Sequence, residues 1–313
     1  MGSMPRYHFI LIHVFLVAVV TAGVLAIRST GGMLAFADEQ TPPTKALVTK
    51  KKLAEALAQQ RAMFVSGQTL RGAVDELQAS TGVTVLLDRR LNPGTPIEIS
   101  TGFVTVQETI FALANSIPET TASVGDHFVL VGPDAPTGRL RTLTEINRQA
   151  TTQLRRKMDA DSYRKLIARH ESSWPNLSQP RQLILDAAEA AGLAVANPEL
   201  IPHDLWAAAR LPELMLADFA TLVLNQFDLS FELSADGVVT IVPAPNDVAI
   251  EQRHRIPART KGEVAKRWRA EFPDLPIDWK GATANVRATM ETHDRLKQLI
   301  SGDAPKTVAA VGI

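Results

Sequence analysis

The chain contains no cysteine, which excludes disulfides, thiolate metal sites and a cysteine nucleophile. That absence leaves the compartment to be read elsewhere. An excess of one charge is missing too. Thirty-three basic residues face thirty-three acidic ones, for a formal net charge of zero, whereas a chain built around nucleic acid carries a basic surplus. Motifs of nucleotide and nucleophile chemistry are lacking: there is no G-x-S-x-G, no phosphate-binding loop, no G-x-G-x-x-G behind a strand and no H-E-x-x-H. The seven histidines are His8, His13, His127, His170, His203, His254 and His293, and no two have the i, i+3 or i+4 spacing of helical ligand pairs.

Residues of chemically useful type read more simply as structure. Asp75 with Glu76, and Asp218 with Glu213, fall in amphipathic patterns whose polar face is charged in any case. His203 with Asp204 lacks further ligands nearby. His127, between Asp126 and Phe128, reads as a solvent-facing turn or strand residue. Trp206, Trp268 and Trp279 stand next to or near Leu205, Val264 and Ile277 and read mainly as core anchors rather than a sugar-stacking surface. No catalytic, cofactor-binding or metal-binding residue is assigned, no cofactor is expected, and the chain is expected not to be an enzyme.

What is present is apolar and periodic. The 313 residues are 45% hydrophobic, enough for packed cores in about two ordinary or three small domains. Residues 9–27, opening at Phe9 and closing at Ile27, hold no formal charge. Ala35-x-Ala37 then fits a signal-peptidase site. Residues 1–37 therefore read as a cleaved signal peptide or, since the run approaches the ~20 residues that span a bilayer, a transmembrane anchor. Either exports the remainder of the chain. Residues 38–62 read as a linker and a short helix, Lys52 to about Arg61, behind Lys50 and Lys51.

The stretch from Gln68 to Pro133 organises the rest. Leu70, Val74 and Leu77 share one helix face, closed by Thr81-Gly82. Val83, Val85 and Leu87 alternate like a half-buried strand. Asn92-Pro93-Gly94 is a turn, and Ile97-Glu98-Ile99 a second strand. Val106, Ile110 and Leu113 repeat the helix pattern. Gly125-Asp126 then turns into the strand Phe128-Val129-Leu130-Val131, stopped by Gly132-Pro133. Met63-Phe64-Val65 supplies a leading strand.

On "tLrgAvdeLqasTGvtvLLD", Pro96-Ile-Glu-Ile, "vTvqEtIfaLa" and "dhFVLVGP", residues 63–133 resemble the secretin and TonB short N-terminal domain family. The resemblance implies an extracytoplasmic interaction domain and carries no catalytic residue.

Asp134-Ala-Pro-Thr-Gly reads as a boundary. Residues 139–171 carry nine Arg or Lys against four acids on an amphipathic helical rhythm, broken near Asp161, and read as a linker with a long basic helix with a solvent-facing basic side. Residues 178–245 repeat the first module at a constant offset of 110: Val74 matches Ile184, Gly82 Gly192, Val85 Val195, Val106 Leu216, Val129 Val239, and Pro133 Pro243. Pro180 stands where Leu70 did, and the spacer 197–210 reads as a helix or loop. Residues 254–300 form a third small α+β unit: an edge strand at Arg255, a helix with a Thr260/Glu263 capping box, strands from Ile277 and Ala284, and a helix from Met290 to Ile300. The tail 301–313 reads as disordered.

The expected fold class is α+β, tandem small two-layer modules with mixed short sheets joined by a long basic helix behind an apolar signal or anchor helix. The expected function is an exported, non-enzymatic protein–protein interaction or scaffold protein of the periplasm or cell envelope, accessory to a secretion or transport machine. Its partners would be envelope proteins and, through 9–27 if uncleaved, the membrane. A homo-oligomer is compatible with this reading, and nucleic acid is not expected. The alternatives are a membrane-anchored sensor docking to an outer-membrane receptor or anti-sigma-type partner, and a periplasmic small-molecule or glycan binder.

Overall fold

A computed structural model describes residues 46–302. The signal or anchor segment at 9–27 and the tail beyond Gly302 lie outside the described residues. Among the described residues no helix is long and apolar enough to cross a membrane.

The first unit opens with α1 (Lys50–Leu57). This helix stops short of the expected Arg61 because Gln60 and Arg61 pair with Thr105 and Val104, so tertiary pairing overrides helix propensity there. They begin β1 (Gln60–Thr69), a strand much longer than the Met63–Val65 expected. Helix α2 (Leu70–Thr81) follows at once. Thr69 caps it by accepting from the Gly72 N–H, Leu70, Val74 and Leu77 are buried, and Gly82 ends it at φ 76°. After β2 (Val85–Leu87) the Asn92 side chain accepts from Gly94 N–H and closes the turn into β3 (Pro96–Thr105). Helix α3 (Val106–Asn115) carries a reciprocal capping box between Thr105 and Glu108. The unit ends with β4 (Thr120–Val124) and β5 (Val129–Pro133). Strand β4 is a correction to the sequence reading: Thr120-Thr-Ala-Ser-Val has no apolar alternation, yet Thr120, Ala122 and Ser123 are buried.

In the sheet β2-β5-β4, β5 runs parallel to β2 and antiparallel to β4. Its strands are not half-buried as expected. Val83, Thr84, Val85 and Leu86 are all under 9% exposed, because both faces are covered. Val85, Val129 and Val131 pack into the first unit's core. Leu86, Phe128 and Leu130 point the other way, into a cluster shared with Ile184, Phe219 and Val239 of the second unit.

The expected boundary after Pro133 is instead the start of α4 (Asp134–Gln153). Pro136 sits in its first turn, where a missing N–H costs nothing. After Gln153 the helix tightens into a short 3₁₀ turn, Leu154–Arg156, and Asp159 caps α5 (Ala160–Leu166) by accepting from Asp161 and Ser162 N–H. The basic side of α4 is not a solvent face: Arg139 is 8% exposed, and α4 packs against α7 (Leu216–Asn225), of which every residue is buried. Three polar rungs join the two helices. Arg148 donates to both oxygens of Asp218, Asn147 to Thr221 and Arg139 to Asn225. Asp218, expected on a polar face, is 2% exposed; the arginine that α4 presents makes that burial tolerable.

The second unit repeats the first. Helix α6 (Pro180–Ala190) ends near Gly192 at φ 74°, and β7 (Ala194–Ala196), β9 (Leu229–Leu233) and β10 (Val238–Pro243) form the sheet β7-β10-β9. Val85 pairs with Val129 in the first sheet, and their repeat equivalents Val195 and Val239 pair in the second. The spacer 197–210 is not helical beyond one short turn, Pro198–Leu200.

The third unit packs β11 (Ile250–Arg255), β13 (Thr283–Ala288) and β12 (Ile277–Lys280) in that order against α8 (Lys261–Glu271) and α9 (Met290–Ser301). Trp268 and Leu296 centre its core. The expected Thr260 capping box does not form. Thr260 has a helical conformation, and its hydroxyl donates to the Pro257 carbonyl instead. Helix α9 meets α4 through Arg141 with Glu291 and Asp294, and through the Met290 N–H donating to Thr142.

Candidate functional site

Strands β1 and β3 pair only with each other, as a two-stranded antiparallel arm. Each strand therefore presents one edge of backbone N–H and C=O groups without a strand neighbour among the described residues. The inner face is core: Val65, Ile97 and Ile99 are buried against α2 and α3. The outer face carries Ala62, Phe64, Ser100 and Phe103, all exposed. Phe64 is 77% and Phe103 75% exposed, the two largest values among the exposed large apolar side chains described.

Two bulges shape the arm. Between the pairs Arg61↔Val104 and Met63↔Thr101, β3 holds an extra residue; between Val65↔Ile99 and Gln68↔Ile97, β1 does. The first bulge re-aims Phe103 outward. The second contains Gly67 at φ 70°, a conformation glycine takes without a Cβ penalty. Between the bulges lies a regular stretch, Met63, Phe64 and Val65 opposite Thr101, Ser100 and Ile99. Glu98 alone among the exposed residues of the outer face bears charge, so the surface suits an uncharged, apolar segment.

The second unit keeps the arm in reduced form. Strand β6 (Arg169–His170) pairs with β8 (Leu214–Met215), and single bridges join Trp174 to Ala209 and Ser178 to Trp206. Leu177, the repeat equivalent of Gly67, holds the same left-handed backbone at φ 64° and is 71% exposed. Trp174, the repeat equivalent of Phe64, is only 6% exposed. It packs 5.5 Å from Trp206 and edge-on to Phe219, and its indole donates to the Ala207 carbonyl. Arg89 of the first unit caps this aromatic group over Phe227 and holds Asp204. The second arm is folded into the junction between the units.

Of the residues weighed in the sequence, Trp206 and Trp268 are buried and Trp279 half-buried, as core anchors. Asp204 bonds Arg89 and the Trp206 indole. Glu213 is exposed while Asp218 is buried, so that pairing has no common site. His127 is a correction: it is 2% exposed, not solvent-facing, because the turn after Gly125 folds under Arg169. Among the described residues no group of three or more His, Asp or Glu could hold a metal ion.

Sequence spacing missed one pair. His254 on β11 and His293 on α9 are far apart in the chain, yet Nε2 of His254 lies 3.0 Å from Nδ1 of His293. Nε2 of His293 lies 3.0 Å from the Ile250 carbonyl. That carbonyl only accepts, so His293 carries its proton on Nε2 and receives one from His254 on Nδ1. Both rings are neutral in this arrangement. Burial, then repulsion from its neighbours His293 (should that ring also take up a proton) and Lys297, push His254 down to about 4. Burial also lowers His293, against the Ile250 carbonyl and Asp294.

No family model matches the chain, and no curated protein or solved structure matches it.

Proposed function

We propose that this chain is a non-enzymatic interaction protein of the cell envelope, exported by its N-terminal segment, that docks a protein partner on the β1–β3 arm. One observation carries the proposal: two phenylalanines at least three-quarters bare on the outer face of a ribbon whose edges have no strand neighbour among the described residues. Exposed apolar area of this kind on an otherwise well-packed unit marks a protein interface. The occupant is an extended, uncharged segment of another protein, adding its backbone to an arm edge and its side chains around Phe64 and Phe103. The resemblance to the secretin and TonB short N-terminal domain family supports the same reading, with the chain as an accessory of a secretion or transport machine.

The test uses the full chain with a photo-crosslinker at Ser100, across from Phe64, in envelope extracts. The expected result is one adduct that maps to an extended apolar segment and disappears in the Phe64→Ser/Phe103→Ser double variant, with melting unchanged. An adduct that survives the double substitution overturns the assignment, as does a crosslink between two copies of this chain.

A further inference from the structure

Strand β11 borders the third sheet. β13 pairs along one side of it, and the other side has no strand neighbour among the described residues. The Ile256 N–H donates to the Ala282 carbonyl, which extends the β11–β13 register by one pair. In an antiparallel ladder, residues alternate between bonding toward the partner strand and facing away from it. The even positions of β11 therefore bond toward β13, and the backbone N–H and C=O of Glu251, Arg253 and Arg255 face the free side. Among the described residues nothing bonds to those groups.

The side chains of the same three residues share one face. His254 and Ile256 are buried on the core side, as are Ala284, Val286 and Ala288 of β13. Glu251, Arg253 and Arg255 are exposed on the opposite side.

The charges on that outer face do not balance. Across the ladder Glu251 stands opposite Arg287, but Arg253 faces Asn285 and Arg255 faces Thr283. On β12 the Asp278 carboxylate is engaged by Lys280 at 3.2 Å and by the Asn285 side chain at 3.3 Å. Arg253 and Arg255 have no carboxylate at ion-pair distance among the described residues. Residues 250–302 carry eleven Arg or Lys against seven Asp or Glu, an excess of four in a chain whose total is zero, so the unit as a whole attracts negative charge. The tryptophans of the unit do not serve nucleic acid here: Trp268 is fully buried and Trp279 packs 5.7 Å from it, which leaves this face without a ring on which a base could stack.

We propose that the free side of β11 takes up an extended acidic segment of another protein as a fourth strand of the sheet. Set antiparallel, the segment has acids opposite Arg255 and Arg253, a base opposite Glu251, and apolar residues beside His254 and Gln252. Cross-strand neighbours on one face stand about 4.5–5.5 Å apart at Cβ, within reach of both guanidinium groups. Charge on a sheet border also keeps stray strands off, so the two arginines admit an acidic strand and refuse a basic one. The surface is distinct from the β1–β3 arm, whose outer face suits an uncharged segment.

The test titrates the full chain with a blocked peptide of sequence Thr-Glu-Val-Glu-Val-Lys-Thr, followed by NMR at the β11 amides. The expected result is saturable shifts, weakened by salt, with hydrogen exchange slowed at the Arg253 and Arg255 amides. The charge-reversed peptide Thr-Lys-Val-Lys-Val-Glu-Thr should bind at least about tenfold more weakly, and so should the first peptide to Arg253→Glu/Arg255→Glu. Arg253→Ser/Arg255→Ser, which adds no charge at these exposed positions, should give an intermediate loss with melting unchanged. Lys280→Glu, on the opposite border, should leave binding within about twofold. N-methylation of the second glutamate removes a donor aimed at β11 and should weaken binding about tenfold; at the second valine, whose N–H points away, the change should stay within about threefold. No saturable shift overturns the proposal, as does equal binding of the charge-reversed peptide or binding that survives both double variants. Equal tolerance of the two N-methyl groups would reduce the interaction to charge alone, as an anionic lipid surface gives, and would also overturn it.

Discussion

The two repeated units start from the same plan and use one element of it in opposite ways. Both have the sheet order of outer parallel strand, central strand and antiparallel partner, with equivalent residues paired in each. Both have a two-stranded arm. In the first unit each strand of the arm runs 10 residues and its aromatic, Phe64, stands in solvent. In the second each paired strand runs only 2 residues, and the aromatic at the same repeat position, Trp174, closes the junction between the units. Duplication thus supplies two copies of a sticky surface, and the second copy's is consumed inside the chain. A surface covered within its own molecule cannot recruit a partner; the one left bare can.

The junction that makes this division possible is where the comparison breaks most easily. Arg148→Ala leaves Asp218 charged and buried without its partner, and should cost about 3–5 kcal/mol in chemical denaturation. Paired with Asp218→Ala the loss should be much less than additive, the signature of a shared contact. Gly132→Ala acts on the same seam. Its new Cβ would lie 2.6 Å from Cβ of Asp88 and 2.7 Å from Oγ1 of Thr137, so a loss of about 1–3 kcal/mol is expected from overpacking.

Acid should sharpen the contrast between the repeated units and the third. His254 ordinarily titrates near 6.5 and is held at about 4 in the fold, so the unfolded chain takes up its proton first as pH falls. The contribution of His254 to stability is constant above about 6.5 and declines by up to about 1.4 kcal/mol per pH unit between 6.5 and 4. Lys297 opposes protonation of the pair, while Asp294 opposes the lowering at His293. Trp268 lies edge-on to His254 at 5.5 Å, so its fluorescence should report the acid transition, and His254→Phe should flatten the slope. The smallest effect is at the repeat's left-handed position. Leu177→Gly removes a strained non-glycine φ of 64° and should stabilise by about 0.5–1 kcal/mol, relief of strain exceeding glycine's entropy cost. Gly67→Leu in the first arm should cost a similar amount.

Much of this plan was legible because it is local or periodic. The helices at Leu70, Val106 and Met290 declared themselves by apolar spacing, and the offset of 110 survived because Gly82 and Gly192 both need a left-handed backbone. What stayed hidden is long-range. Strand β4 lacks apolar alternation because hydroxyl side chains fill its buried positions. The arginines of α4 look like a solvated face until α7 supplies Asp218 and Asn225 to receive them. The His254–His293 contact depends on β11 meeting α9, which spacing along one helix does not encode. The arm itself was half visible: Phe64 stood in the expected strand, but its exposure follows from the outer face of the arm having no layer packed on it among the described residues. The Thr105-x-x-Glu108 capping box was readable and marks the start of α3 more sharply than its apolar pattern.

The most direct measurement compares Phe64→Ala with Trp174→Ala in urea unfolding of the full chain. A loss of under about 1 kcal/mol is expected for Phe64→Ala, a bare side chain in a strand. About 3–5 kcal/mol is expected for Trp174→Ala, a buried aromatic. Equal losses at the two positions would mean that Phe64 is covered in the folded protein, and would contradict the division of labour between the arms.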